Sequence, residues 1–217
     1  MSTAQDLAII ALSASDREVG QGDLSLALAG AEVLDLVEAQ VIGLDGERLV
    51  PGTGSAADDR LLGEAASSVV RQEPYEAVED WLWRRGRELS AAYTDELERA
   101  GLVNRTRGNR LLSRPERVAL VDSPAVRRAE ERRASGEPVL AALAAAVGLD
   151  DRADDKGEEG DDEGQDVGKD LDAGHDLTDD ATVTVLAAVG NAVMELEAVR
   201  QRRSVENAAF DNVWRGF

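Results

Sequence analysis

The sequence predicts a mainly α-helical protein with small β-hairpins. Ala, Leu and Val supply most of its apolar residues, whereas Phe, Trp and Tyr together make up only 3% of the chain. Small aliphatic side chains let helices approach closely, so this composition favours helix-on-helix packing over an aromatic-rich sheet core. Apolar residues recur at helical spacing along much of the chain, and 217 residues are enough to bury a core.

The first 55 residues predict two helices, a hairpin and a loop. A short apolar helix is expected over 6–12, and a longer one runs from a cap at Asp23 to about Ala39. Gly30 interrupts the apolar pattern of the longer helix, where glycine costs about 1 kcal/mol relative to alanine, so we expect another helix to pack closely there. Asp45-Gly46 separates two short apolar runs and predicts a hairpin over 41–50. The Gly-Thr-Gly-Ser loop after it lacks the Gly-Lys-Ser/Thr ending of a phosphate-binding loop and predicts a turn.

The rest of the chain continues the alternation of helices and a hairpin. Gly101 stands where a helix C-terminus favours glycine, and Pro124 and Pro138 each lie in the first turn of a predicted helix. A second hairpin is expected from 102–104 and 117–121, around Gly108-Asn109. The helices of this part are predicted over 58–71, 74–87, 87–100, 124–134, 139–147 and 182–206.

The segment 150–180 carries much of the negative charge. It holds 15 Asp and Glu residues against three basic residues, and therefore contributes 12 of the formal net charge of −20. Its acidic residues lack the spacing of calcium-binding loops, and glycines among like charges oppose folding, so a disordered, solvated insertion is favoured over a calcium site. The only histidine, His175, lies within this segment, which argues against a His-based metal site or a Ser-His-Asp triad.

The composition favours a binding function over catalysis, and an enzyme of unknown type is the third hypothesis. Cysteine is absent, which excludes disulfides and thiolate nucleophiles, and no metal-ligand spacing or pair of catalytic carboxylates stands out. We therefore expect a binding protein rather than an enzyme, with no cofactor. The acidic balance disfavours nucleic acid as a partner. No signal peptide and no run of roughly 18 apolar residues is apparent, so the cytoplasm is the expected compartment.

The segment 81–87 combines aromatic and basic residues in a chain that is otherwise poor in aromatics. Trp suits a boundary between apolar and wet surroundings, and Arg binds phosphate oxygens in bidentate fashion, so the segment is a candidate site for an anionic headgroup. The alternative is that one Trp lies in the core while the arginines pair with Glu79, Asp80 and Glu88. The candidate residues are Trp81, Trp83, Arg84, Arg85 and Arg87.

Two further clusters have structural and functional interpretations. Four arginines alternate with two glutamates over 127–133, a pattern that usually marks a solvated helix face. Phe210, Trp214 and Phe217 recur at roughly helical spacing at the end of the chain. They could enter a membrane interface or bind a protein partner, although such a triplet more often packs onto its own domain.

A collinear series of segments resembles the Golgi phosphoprotein 3 family. The similarity spans most of residues 5–149, and the helix after the acidic insertion completes it. The domain is thus expected to consist of 1–149 and 181–217, with 150–180 inserted between them. The segments that carry the resemblance are DLAIIAL (6–12), LSLALAGAEVLDL (24–36) with the hairpin after it, the Thr53-Gly54 loop, DRLLGEA (59–65) and DELERAGLV (95–103).

The resemblance implies a mainly α fold in which helices surround a central hydrophobic helix. It also implies a peripheral membrane adaptor that recognises phosphatidylinositol 4-phosphate. The family's headgroup pocket uses one Trp and three Arg residues, and these positions correspond here to Gly20, Ala29, Arg87 and Ser90. Since only Arg87 matches, the resemblance implies a weakened or altered pocket, or one rebuilt from the Trp and Arg residues of 81–87.

Overall fold

Eight α-helices and two antiparallel hairpins make up the described part of the chain. The structure is a computed structural model that describes residues 2–14, 19–55, 59–106, 117–149 and 179–214. The helices are α1 (Thr3–Ser13), α2 (Gln21–Glu38), α3 (Arg60–Ser68), α4 (Val78–Arg85), α5 (Leu89–Arg99), α6 (Pro124–Ala134), α7 (Pro138–Ala146) and α8 (Asp180–Trp214). The strands are β1 (Ile42–Asp45), β2 (Arg48–Pro51), β3 (Val103–Thr106) and β4 (Arg117–Leu120). The mainly α fold with small hairpins is therefore confirmed.

Helix α2 lies at the centre of the fold, as the resemblance implied. It packs against α1, α3, α4, α5, α7 and α8. The other helices cover α2 on nearly every side. Its own apolar residues Ala27, Leu28, Ala29 and Ala31 therefore have no exposed surface. A helix that is apolar all round must be buried, which explains why the other helices are arranged about this one.

The structure corrects the predicted start of α2. Gly20 is its N-cap residue and makes no side-chain cap hydrogen bond, while Asp23 lies in the first turn. The carboxylate of Asp23 instead accepts a hydrogen bond from Arg200 of α8, with 2.7 Å between Arg200 Nη1 and Asp23 Oδ2. Asp23 therefore joins two helices and does not cap its own.

Other boundaries follow the sequence more closely. β1 pairs with β2 around Asp45-Gly46, where Gly46 has φ = +57°, and α5 is followed by Gly101 with φ = +71°. Helix α4 begins only at Val78, after Glu76 and Ala77 have made bridging contacts with β2, so the expected helix from 74 is shorter. β3 pairs with β4 as predicted, whereas the turn at Gly108-Asn109 lies outside the described residues.

Gly30 is the point of closest approach between α2 and α8. A Cβ atom placed on Gly30 would be 2.3 Å from Cγ2 of Val189, a distance that side chains do not tolerate. The prediction that another helix packs closely at this glycine is thus confirmed. The approach places Val185 and Val189 of α8 in the core with no exposed surface.

A buried ion pair corrects the interpretation of the arginine-rich helix α6. Asp6 of α1 has no exposed surface, and it accepts hydrogen bonds from Arg128 at 2.9 Å and from Arg132 at 2.6 Å. Two of the four arginines over 127–133 therefore attach α6 to α1, and the expectation of a purely solvated face was wrong for them. Only Arg127, which pairs with exposed Asp122, matches that expectation fully.

A second buried carboxylate holds the start of α1. Asp35 of α2 accepts hydrogen bonds from the backbone N–H of Thr3 at 2.8 Å and of Ala4 at 3.1 Å. These N–H groups belong to the first turn of α1, where a helix leaves its donors unsatisfied. Burial raises the pKa of Asp35 to about 6, although the two backbone hydrogen bonds favour the charged carboxylate.

The raised pKa of Asp35 predicts that acidification stabilises the protein through this group. Because the folded state binds the proton more tightly than the unfolded state, the contribution is present below about pH 4 and is lost as the pH rises through about 6. Its limit is about 3 kcal/mol for the full pKa shift. The measurement is the free energy of unfolding in urea for the wild-type protein and for Asp35→Asn. We expect the wild-type value to rise relative to that of the variant as the pH is lowered from 7 to 4. Equal pH dependence in the two proteins would contradict the prediction, since every other titrating group is common to both.

Helix α8 departs most from what the sequence led us to expect. It begins at Asp180 and extends to Trp214, eight residues beyond the predicted end. Among the described residues, its Asp180–Glu206 portion has the length and composition of a membrane-spanning helix, with a mean hydropathy of 1.4 over its most apolar window. The expectation that no segment is long and apolar enough to span a membrane was therefore wrong. The acidic insertion lies almost wholly outside the described residues, as do the side chains of the C-terminal aromatics.

Candidate functional site

The two tryptophans of the 81–87 segment belong to the interior. Trp81 has no exposed surface, and its indole Nε1 donates a hydrogen bond to the carbonyl oxygen of Ala29 at 3.3 Å. Trp83 is half-buried and packs against the edge of the core. Trp81 thus joins α4 to the central helix, as the structural alternative for this segment proposed.

Arg84 forms a bidentate ion pair on the surface. Its Nε and Nη2 atoms each lie 2.7 Å from a carboxylate oxygen of Glu76, and Nη2 also reaches the carbonyl oxygen of Ser68. The guanidinium carbon stands 5.0 Å from the ring centre of Trp81, within the range of a cation–π contact. These contacts hold Arg84 against the segment that precedes α4.

Arg85 reaches into the core and neutralises a fully buried carboxylate. Its Nε and Nη2 atoms donate to the two oxygens of Glu32 at 2.7 and 2.8 Å, and Nη2 also donates to the carbonyl of Leu61. The hydroxyl of Tyr93 donates to Glu32 at 3.1 Å. Burial raises the pKa of Glu32, and the hydrogen bond and charge of Arg85 offset part of that rise. Burial and the negative charge of Glu32 raise the pKa of Tyr93, so its phenol stays protonated and remains a donor.

Arg87 differs from its two neighbours. It is exposed in the turn between α4 and α5, and it has no hydrogen bond or ion pair within the described parts of the chain. Arg84 and Arg85 therefore pair with separate carboxylates, whereas Arg87 has no such partner in the part of the chain that the structure describes. The partners expected for these arginines were Glu79, Asp80 and Glu88, whereas Glu76 and Glu32 are the residues bound.

The turn that carries Arg87 lies against the first turns of α2. The hydroxyl oxygens of Ser25 and Ser90 are 3.0 Å apart, and Ser25 also accepts the backbone N–H of Ser90. A Cβ atom on Gly86 would stand 3.3 Å from the carbonyl oxygen of Ser25. Gly86, the residue before Arg87, therefore packs about one helical turn from the start of α2. The N-cap residue of α2, Gly20, supplies no side-chain acceptor for the N–H groups of that helix start.

The four positions implied by the resemblance fall in different surroundings. Gly20 starts α2, where a Cβ atom would stand 3.2 Å from Nη2 of Arg200 and closer still to Asp23. Ala29 is in the core with no exposed surface, and Ser90 is buried with Ser25 behind the turn. Arg87 alone combines a charge with exposure. The described residues contain no group of three or more Asp, Glu or His side chains that could hold a metal ion.

Sequence reasoning missed the buried carboxylates that organise this region. Glu32 and Asp35 interrupt an otherwise apolar helix, and Asp6 interrupts an apolar run in α1. Buried carboxylates are seldom left unpaired, so a charge inside an apolar stretch signals either a basic partner, as for Glu32 and Asp6, or backbone N–H donors, as for Asp35. From that signal, ion pairs with buried carboxylates could have been predicted for Arg85, Arg128 and Arg132.

Comparison with known proteins agrees with this architecture. A search of curated proteins finds no significant match. Among protein families, the model of Golgi phosphoprotein 3 (GPP34) matches residues 4–196. The match begins in α1, includes the central helix and both hairpins, and continues through the core-packed part of α8. Because it covers most of the sequence, the chain belongs to the Golgi phosphoprotein 3 family.

Proposed function

We propose that this chain is a non-enzymatic, peripheral membrane adaptor that recognises an anionic phospholipid headgroup through an altered site around Arg87. The headgroup of phosphatidylinositol 4-phosphate is the ligand class that family membership favours. The observation that carries the proposal is the exposed guanidinium of Arg87, which has no hydrogen bond or ion pair among the described residues and stands in a turn packed against Ser25 of the central helix. Arg binds phosphate oxygens in bidentate fashion, and a helix start presents N–H donors to an anion.

The residues around Arg87 favour weak binding. Hydrogen bonds to a charged group contribute about 1.5 to 3 kcal/mol each, and Gly20, Ala29 and Ser90 have no charged side chain to offer. Arg84 and Arg85 have carboxylate partners, so a headgroup would have to displace Glu76 or Glu32 to use them. The chain's net charge of −20 also opposes its approach to an anionic bilayer. Low ionic strength strengthens both the attraction between Arg87 and a phosphate and the repulsion between the acidic chain and the bilayer, so vesicles of matched charge are needed to separate the two effects.

A protein-interaction role without lipid binding is the second candidate. The loss of three of the four expected headgroup residues favours it, as does the internal pairing of Arg84 and Arg85. A scaffold of this kind would keep the fold while using other surfaces to bind protein partners. The two functions differ in a single property, which is whether the protein recognises vesicles through Arg87.

Replacing Arg87 with alanine is expected to abolish recognition of phosphatidylinositol 4-phosphate. The assay is co-sedimentation at low salt with phosphatidylcholine vesicles that contain either this lipid or phosphatidylserine at matched charge. The wild-type protein should bind the phosphoinositide vesicles in preference, and Arg87→Ala should bind neither. Arg127→Ala is the matched control, since it removes the same charge from an exposed helix face on α6 and should retain wild-type binding.

Two results would count against the lipid function. One is the absence of any phosphoinositide-dependent binding by the wild-type protein at low salt, which would favour the scaffold function. The other is equal binding by Arg87→Ala and Arg127→Ala, which would show that bulk charge rather than a site at Arg87 drives the association.

A further inference from the structure

The face of α8 that points away from the domain carries an apolar stripe. Val183, Met194 and Val205 expose 52%, 68% and 70% of their surface, and exposed Ala187 and Ala198 lie between them. Successive members are four or seven residues apart, so all of them fall on one side of the helix. The opposite side, with Val185, Val189 and Ala192, is buried in the domain. The outward stripe has no apolar partner within the described chain.

Past its core-packed part, α8 continues as a helix whose described side chains are mostly exposed. Among the side chains that the structure describes, Arg200 is the last in α8 to form an ion pair with the rest of the domain, and its partner Asp23 lies in the first turn of α2. All residues from 201 to 206 are exposed. The part of the stripe around Met194 and Val205 is therefore accessible to a partner from outside the domain.

Two charges beside the stripe have no counter-charge in the described structure. Glu195 makes no ion pair, and the Arg202 side chain reaches only the backbone carbonyl of Ala198, with Nε at 3.3 Å from the oxygen. These residues are seven apart, so they share one flank of the stripe. They are also about 10 Å apart along the axis, too far to pair with each other. Each of them would be matched by an opposite charge on a partner helix.

We propose that two copies of this chain pair through an antiparallel contact between their α8 helices, with the two-fold axis beside Ala198. In this arrangement Glu195 of each copy faces Arg202 of the other. An antiparallel pair places the same flank of the stripe from both copies side by side, and positions 195 and 202 lie at equal distances on either side of the midpoint between 198 and 199. The two-fold symmetry repeats this ion pair on both sides of the axis. The same helix thus provides both members of a self-complementary charge pattern.

The apolar residues fit the same register. Met194 of one copy falls between Gln201 and Val205 of the other, so its exposed side chain fills a gap between two side chains on the partner. Ala198 lies at the axis, where its small side chain lets the two helices approach closely. On the other flank, Glu197 is engaged within its own helix by Arg200 at 3.4 Å and by Gln201 at 3.2 Å, which reduces like-charge repulsion between copies.

A membrane is a less suitable occupant of this stripe. Helices that lie in a membrane interface carry Lys and Arg on their polar face, which attract anionic lipids. Here the stripe is flanked by Glu195 and Glu197 in a chain of net charge −20. Arg202 offsets only one of these acidic residues, so the flanks have no basic excess to attract an anionic bilayer, whereas Glu195 and Arg202 together complement a second copy.

Charge exchange between Glu195 and Arg202 tests the proposed pairing. The oligomeric state of the full chain is measured by sedimentation equilibrium for the wild type, Glu195→Arg, Arg202→Glu and the double variant. Each single variant places like charges together at both symmetric contacts, and we expect the dimer dissociation constant to rise at least about tenfold. The double variant restores opposite charges and should dimerise like the wild type. Mixing the two single variants should produce heterodimers, since both contacts between unlike copies are then attractive.

The outcomes separate the possible occupants. Dimerisation of the wild type, its loss in both single variants, and its recovery in the double variant and in the mixture establish the pairing. A wild-type chain that stays monomeric overturns it, as does a dimer that neither single variant weakens. Met194→Glu is a further check, because it should prevent dimerisation without disturbing the fold at an exposed position. A monomeric wild type that binds neutral vesicles, and loses that binding in Met194→Glu, would assign the stripe to a membrane instead.

Discussion

Replacing Arg85 with methionine should destabilise the protein by about 3 to 5 kcal/mol, the usual result of removing one partner of a buried ion pair. Glu32 has no exposed surface, and the Arg85 side chain is only 16% exposed. The substitution leaves the Glu32 carboxylate in the core with one neutral donor, the hydroxyl of Tyr93. The free energy of unfolding measured with urea at neutral pH reports the loss. The deficit should shrink as the pH falls, because a protonated Glu32 carries no charge to be stranded.

Two further variants separate the buried charge from general effects of losing an arginine. Arg84→Met removes a neighbouring guanidinium whose side chain is 43% exposed, and it should cost about 1 kcal/mol or less. The double variant Glu32→Gln/Arg85→Met removes both charges together and should recover most of the stability lost in Arg85→Met. A deficit in Arg85→Met no larger than that of Arg84→Met, or one that Glu32→Gln does not relieve, would disprove the structural role of the pair.

The same pair affects how lipid binding by Arg85 variants should be interpreted. A loss of vesicle binding in Arg85→Met could reflect unfolding, since Arg85 connects α4 to the central helix through Glu32. The double variant provides a folded protein without the guanidinium. If that variant binds phosphoinositide vesicles like the wild type, the site depends on Arg87 and does not require Arg85.

Gly30→Ala is expected to destabilise the protein by about 1 to 3 kcal/mol, the cost typical of forcing extra volume into a packed core. On helix propensity alone, alanine would stabilise the helix by about 1 kcal/mol. The clash outweighs this gain, because the new Cβ would meet Cγ2 of Val189 at 2.3 Å. Valine has a stiff χ1 in a helix and cannot easily turn its methyl groups away. Thermal or urea unfolding of the purified variant provides the measurement.

A matched glycine and a compensating substitution make this prediction specific. Gly63 lies within α3, and nothing stands within 4 Å of the position where its Cβ would be, so Gly63→Ala should be neutral or stabilising. Adding Val189→Ala to Gly30→Ala removes the clashing methyl groups and should restore part of the stability. If both glycine variants were stabilised alike, the close contact between α2 and α8 would not exist in solution.

Local chemistry allowed much of the fold to be predicted from the sequence. Asp45-Gly46 marked the first hairpin, Gly101 the end of α5, and Pro124 the start of α6, because these residues favour particular backbone conformations regardless of distant contacts. Gly30 within the apolar pattern of α2 likewise indicated that another helix packs closely there. Family membership was also recognisable, since it rests on the order of such segments along the chain.

Pairing between side chains could not be derived in the same way. Asp6 and Arg132 are separated by more than a hundred residues, and no local rule relates them. Arg84, Arg85 and Arg87 look equivalent in the sequence. Arg84 nevertheless forms a surface ion pair, Arg85 enters the core, and Arg87 has no partner within the described ranges. The direction in which each side chain leaves its helix, and the carboxylate that another element brings near it, decide the difference.

The sequence by itself determined that this chain is helical, contains two hairpins and resembles the Golgi phosphoprotein 3 family, a resemblance that implied a central buried helix. It did so because turn preferences and apolar periodicity act over a few residues. Only the tertiary structure decided that Arg85 neutralises Glu32, that Arg87 has no partner in the described chain, and that α8 presents an uncovered stripe around Met194. Charge pairing and burial depend on the relative positions of distant elements, and those positions are fixed only when the helices pack together.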